Sequence, residues 1–154
     1  PYGPIIVVGP HASPAAGALD GAYVVPLDGS LRGEVILPIA GAWTVEFGGT
    51  PWVIEVLDTI GAPTGDVFES AYVGRAAHDM QSLIGHAVEF ETLHGERPSR
   101  VIVDFADRLG ASLMFLTTHG RSGLDRLRLG SVAAEIVRHA TCPVVLHRPP
   151  QLPA

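Results

Sequence analysis

The chain has 154 residues, 47% of them apolar, and a mean hydropathy of +0.30, enough for the core of one compact domain and too apolar for a disordered chain. Its net charge of −6 argues against general binding to nucleic acid, and apolar runs of about four or five residues, such as Ile5-Ile6-Val7-Val8, are far short of a membrane span. All ten cationic side chains other than His are Arg, which removes chemistry that needs a P-loop lysine or a Schiff base.

The first residues carry neither a Met nor the basic start and cleavage site of a signal peptide, so an excised or processed chain is expected. Residues 1–20 read as an N-terminal arm. Within it GPIIVVGPHASP aligns with CPVVLHRPPQLP near the other end, Pro4 with Pro143 and Pro10 with Pro149. A twelve-residue likeness is short for a repeat. It suggests the closing strand and linker of a preceding similar domain, against the plainer alternative of an ordinary arm.

From residue 21 to about 150 strand-like and helix-like segments alternate, as one domain. Ala22–Leu27 (AYVVPL) is an apolar strand ended by Asp28-Gly29-Ser30, with Ser30 placed to cap a helix. Val35, Ile39 and Trp43 then recur at helical spacing, and Pro38 inside that helix predicts a kink or a locally open ladder. Trp52–Asp58 (WVIEVLD) is a second buried strand. Phe68, Tyr72, Ala76, Met80 and Leu83 mark the inner face of a second helix. Ala87–Leu93 (AVEFETL) alternates like a strand nearer a sheet edge. Pro98 opens a third helix with Ile102, Phe105, Ala106 and Leu109 inward. Ser112–Thr118, a helix over 131–139 and a strand over Pro143–His147 complete the series. Such alternation predicts a parallel, doubly wound α/β sheet with helices on both faces.

Charge is unevenly spread along this series. Residues 119–148 hold five Arg against Asp125 and Glu135, while the rest of the chain is strongly acidic. In open α/β sheets, ligands bind beyond the carboxyl ends of the strands where the winding reverses. If the strands ending at Asp28 and Thr118 are neighbours, Asp28 and the loop HGRSGLDRLRLGSVA share one crevice. Gly120 and Gly123 can bare backbone N–H groups. Gly130-Ser131 opens a helix whose free N–H groups and dipole favour phosphate. Asp28 would repel phosphate, so it suits a ribose hydroxyl or a base amino group. Each of these residues also has an ordinary structural reading as turn glycine, helix start or capping acid.

GRSGLDRLRLGSVAAEIVRHATCPVVL, with YVVPLDGS at the first strand, resembles the universal stress protein family over about residues 22–148. Nucleotide-binding members of that family share Gly, two residues, Gly, nine residues, then Gly-Ser or Gly-Thr; the last two elements fall here on Gly120 and Gly130-Ser131. The resemblance implies a five-stranded parallel sheet in the order 3-2-1-4-5, which makes the first and fourth strands neighbours. It places Asp28 and the backbone near Val56 at adenine and ribose. Gly120, Arg121 and Gly123 would border ribose and phosphates, and Gly130, Ser131 and Val132 would hold the phosphates. The ligand implied is ATP or another adenine nucleotide, with or without Mg²⁺. The motif's first glycine is replaced by Thr117, a departure that bears on affinity.

No nucleophile elbow or Walker A sequence is present. The seven His include no close pair with metal-ligand spacing, so no metal site is expected. Cys142 reads as a small buried apolar residue, and a lone cysteine suits a reducing cytoplasm. The closing strand lies at a sheet edge, which invites a homodimer through residues 143–148 or pairing of that edge with residues 4–8. The expectation is a cytoplasmic stress-response sensor that binds an adenine nucleotide, with no catalytic set for efficient turnover. Against it stand a dimerising interaction module that binds no nucleotide and a slow nucleoside-phosphate hydrolase.

Overall fold

The computed structural model describes residues 3–13, 18–58, 71–118 and 129–149. In chain order these form β1 (Ile5–Val7), β2 (Ala22–Leu27), α1 (Leu31–Glu34), α2 (Leu37–Phe47), β3 (Thr50–Leu57), α3 (Ala71–Ile84), β4 (Glu89–His94), α4 (Pro98–Leu109), β5 (Leu113–Thr117), α5 (Ser131–His139) and β6 (Val144–His147). No helix among the described residues is long and apolar enough to cross a membrane.

One mostly parallel sheet runs through the molecule in the order β1-β6-β5-β2-β3-β4. It has six strands, where five in the order 3-2-1-4-5 were expected. The five strands from β2 to β6 pair in parallel. The sixth, β1, lies antiparallel along β6. An uncovered β6 would present a row of unpaired N–H and C=O groups, and the β-branched segment of the arm takes that row. The pairing of the 143–148 edge with residues 4–8 is therefore the arrangement this chain adopts.

Alternation along the strands splits the core between two faces. Val24, Ile54, Met114, Leu116, Val144 and Leu146 pack with Ile102 and Phe105 of α4 and Ala133 and Ile136 of α5. On the other face Tyr23, Val25, Leu27, Val53, Phe115 and Val145 pack with Ile36 before α2, with Ala40 of α2, and with Val73, Ala77 and Met80 of α3. Fully burying a side chain of this size stabilises by roughly 1.5–3 kcal/mol, so the double-sided sheet organises the domain.

Two helical expectations need correction. Of the kink or open ladder expected at Pro38, the structure shows the ladder open rather than a kink in a continuous helix. Pro38 stands in the first turn of α2, after a break at residues 35–36, because Pro has no N–H to give to the carbonyl four residues back. The restart shifts the helix phase. The fully buried line becomes Ile36, Ala40 and Thr44, with Ile39 and Trp43 only partly buried against it. In α3 the inner face is Val73, Ala76, Ala77 and Met80, whereas Leu83 is 87% exposed. A stride of four residues drifts off a period of 3.6, and Phe68 lies outside the described residues. The strand expected from Ala87 begins at Glu89 and forms the sheet edge.

Candidate functional site

The sheet builds the site by register. Leu27 of β2 lies beside Glu55 of β3, and Asp28 and Val56 are the residues that follow this last pair. On its other side β2 pairs with β5 through Tyr23–Leu113 and Val24–Met114. On that side Thr118 follows the end of β5, as Asp28 follows the end of β2. β2 and β3 share six pairs, but beyond Met114 β2 and β5 share no further one among the described residues. Their carboxyl ends part, as expected where the winding reverses. With strands about 4.8 Å apart, Val56 to Thr118 spans at least about 10 Å, the reach of a nucleoside rather than of a lone phosphate.

Asp28 is held at its strand end by the next turn. Its Oδ1 accepts from the Ser30 N–H at 3.0 Å and from Ser30 Oγ at 2.6 Å, while Ser30 Oγ accepts from the Gly33 N–H at 3.0 Å. Gly33 makes this fold-back possible, because a Cβ there would lie 2.7 Å from Asp28 Oδ1. A carboxylate offers about four acceptor positions, so this cap leaves Asp28 capacity for further donors. Val56 is half-buried and packs on the core face that α4 and α5 cover.

The opposite wall is the start of α5. The Gly130 N–H donates to Thr118 O at 2.9 Å, and Thr118 in turn donates its N–H to His147 O at 3.0 Å. These bonds tie the helix start to the ends of β5 and β6. Gly130 is the N-cap and supplies no side-chain acceptor, so the first-turn N–H groups of α5 have no intrahelical partner and carry the positive end of the helix dipole. Ser131 and Val132 are exposed in that turn. A Cβ on residue 130 would lie 3.1 Å from Thr118 O, so glycine permits the close approach.

Among the expected site residues, then, Asp28, Val56, Gly130, Ser131 and Val132 converge at the carboxyl ends of β2, β3 and β5. Gly120, Arg121 and Gly123 lie outside the described residues. Thr117, at the position of the motif's first glycine, is half-buried and level with His147.

Residues 23–148 match the universal stress protein family. The chain belongs to that family. A universal stress protein of Methanocaldococcus jannaschii is 39% identical over 67 residues, which are 44% of this chain and 39% of that protein. Among solved structures, the universal stress protein from Archaeoglobus fulgidus in complex with dAMP is 25% identical, with a TM-score of 0.62 over 82% of this chain and 95% of that one. A second universal stress protein from Archaeoglobus fulgidus is 20% identical with a TM-score of 0.68; the match covers 96% of this chain and 50% of that one.

Reading residues alone missed two groups on this universal stress protein sheet. Glu55 Oε2 and His147 Nδ1 are buried without a hydrogen-bond partner among the described residues. They stand at the carboxyl ends of β3 and β6, on the face opposite Val56. Beside Glu55, the Tyr72 hydroxyl donates to Glu34 Oε1 at 2.9 Å. Burial first, then the Glu34 hydrogen bond and the charges of Glu34, Asp28 and Glu55, push the Tyr72 phenol well above its ordinary range. A lone Glu inside WVIEVLD was the available signal. The crevice thus has two poles, carboxylates along β2 and β3 and a helix start beyond β5. A separate hollow of about 300 Å³ between α4 and α5, lined by residues including Arg97, Arg100 and Glu135, shares none of these groups.

Proposed function

We propose that this universal stress protein domain binds an adenine nucleotide across the carboxyl ends of β2, β3 and β5, and that it works as a ligand-responsive regulator in a stress response. The observation that carries the reading is the pairing of opposite poles. Asp28 and Val56 follow the last level pair of β2 and β3, Leu27 with Glu55, and across the parted β2–β5 ends Gly130 starts α5 within hydrogen-bond reach of Thr118. Phosphate suits the N–H groups of the helix start, and ribose hydroxyls or a base amino group suit Asp28. A nucleoside phosphate has both ends at the right separation. The related structure solved with dAMP supports an adenine base. ATP is the ligand we assign, with Mg²⁺ bound through its phosphates. Gly120, Arg121 and Gly123 join Gly130, Ser131 and Val132 around ribose and phosphates in this reading.

Calorimetric titration with ATP and Mg²⁺ at physiological salt tests it. Saturable binding is expected, weakened about tenfold or more by Gly130→Ala and by Asp28→Ala, a loss of about 1.4 kcal/mol. Ser30→Ala, which removes the helix cap and one hydrogen bond to Asp28 but leaves the carboxylate, should weaken binding by less than Asp28→Ala. No heat of binding at millimolar ATP would instead favour an interaction module, with Thr117 the first residue to revert to glycine.

Domain organisation belongs to the same reading. Residues 21–150 form the nucleotide-binding unit, and residues 1–20 form an arm patterned on the closing strand and linker of a preceding domain of the same kind. The solved relative of which this chain matches one half supports that pattern.

A further inference from the structure

The hollow between α4 and α5 stands apart from the crevice at the strand ends and carries charges of both signs. The two helices cover the same face of the sheet and run in the same direction, since each leads out of one parallel strand and into the next. Ser99 of α4, only 7% exposed, donates its hydroxyl to Glu135 Oε2 of α5, which fixes the level of one helix against the other. One turn further along each helix, Val103 and His139 also line the hollow, whose volume is about 300 Å³, in the range of the smaller small-molecule sites. Arg97, at the N-cap of α4, and Arg100, in its first turn, are the cations of one wall. Arg97 makes no ion pair among the described residues. Arg100 has Asp104 at 3.8 Å, with the two side chains 74% and 55% exposed, and a pair so placed contributes little. On the other wall Glu135 Oε1 accepts from no donor among the described residues.

We infer that this hollow binds a zwitterion, a free α-amino acid with an apolar side chain. A simple anion would meet Asp104 and Glu135 there, and a simple cation would meet Arg97 and Arg100. A ligand that bears both signs satisfies both walls. Its carboxylate accepts from the Arg97 and Arg100 guanidiniums, whose forked N–H groups match a carboxylate. Its ammonium donates to Glu135 Oε1. The Ser99 hydroxyl already holds the Glu135 carboxylate in place, so binding costs less in ordering that wall. Val103, 8% exposed, and the His139 ring give the ligand's side chain an apolar floor. His139 is itself stacked on His11 of the arm, with ring centres 6.3 Å apart. Because the wall charges lie open to solvent, the dissociation constant expected is about 1 mM.

An amide-resolved NMR titration of the full chain with L-leucine, without nucleotide, tests the inference. Saturable shifts are expected at residues 99–104 and 135–139. Two analogues separate the poles: 4-methylpentanoate lacks the ammonium, and 3-methylbutylamine lacks the carboxylate. Each should bind about fivefold or more weakly than leucine. Arg97→Gln and Glu135→Gln should weaken leucine binding by a similar factor and leave shifts elsewhere in the spectrum unchanged. Should Glu135→Gln lose the fold along with its Ser99 bond, Arg97→Gln, at an exposed residue, carries the test alone. No saturable shift at about 50 mM leucine, far above the constant expected, would overturn the inference. Either one-signed analogue binding as tightly as leucine would overturn it too, since the hollow would then read a single charge. Leucine binding that the folded variants leave unchanged would place the ligand elsewhere and would equally contradict it.

Discussion

Single residues set the closest approaches on which the domain depends. Gly49 follows α2 and turns the chain into β3, where a Cβ would lie 2.1 Å from the Tyr23 ring. Tyr23 is fully buried and stacks at a tilt on Phe115 with ring centres 5.2 Å apart, so neither partner can yield cheaply. Gly49→Ala should lower stability by about 1–3 kcal/mol, read as a fall in the denaturant midpoint at unchanged slope. Cys142 shows the opposite case, a residue tolerated because it is inert. It is 1% exposed, and burial, with the Asp107 charge adding, pushes its thiol up to about 11. Native protein at pH 8 should react with a disulfide reagent only as fast as it unfolds. The folded thiol holds its proton more tightly than the unfolded one. Its contribution to stability is therefore full below the ordinary thiol value near 8.5 and declines as pH rises toward 11; a pH series of denaturant midpoints reads that decline. Legibility at this scale divides by chemistry. Asp28 and Gly130-Ser131 could be picked out because the spacing of turn, cap and helix start is local. Glu55 and His147 could not, because what marks them is burial produced by elements far along the chain.

At the scale of elements, the helices are placed by their ends as much as by their apolar faces. α1 has only four residues, too short to hold itself. The Asp28–Ser30–Gly33 hydrogen bonds make it a continuation of the β2 end. Ser30→Ala should cost about 0.5–2 kcal/mol in chemical denaturation and, since the Ser30 hydroxyl also holds Asp28, should weaken nucleotide binding by less than Asp28→Ala does. The difference between a cap and a ligand contact becomes measurable there. α2 and α4 both close on a left-handed glycine, Gly48 at φ 79° and Gly110 at φ 66°, and each carries Pro in its first turn, expected there for Pro98 but not for Pro38. Helix existence was therefore legible. The facing of α2 was not, because Pro38 begins a new helix and resets which side meets the sheet.

For the whole molecule, the order of the strands creates the crevice and the antiparallel arm completes the sheet. The alternation of strands and helices was enough to read a doubly wound architecture, since each segment must bury its own apolar face. The sixth strand lies outside that alternation, but the short proline-flanked repeat and the open closing edge offered residues 4–8 as one of two partners for that edge, and β1 takes the place. The family's spacing likewise pointed to one wall of the proposed site and to the Asp28 strand end, while the parting of β2 from β5 emerges only from the register. Nucleotide binding at that opening is the central claim, and an amide-resolved NMR titration with ATP and Mg²⁺ tests it most directly. The account predicts saturable shifts concentrated at Asp28, Val56 and Gly130–Val132. Shifts confined to the α4–α5 hollow, or none at millimolar ATP, would contradict it.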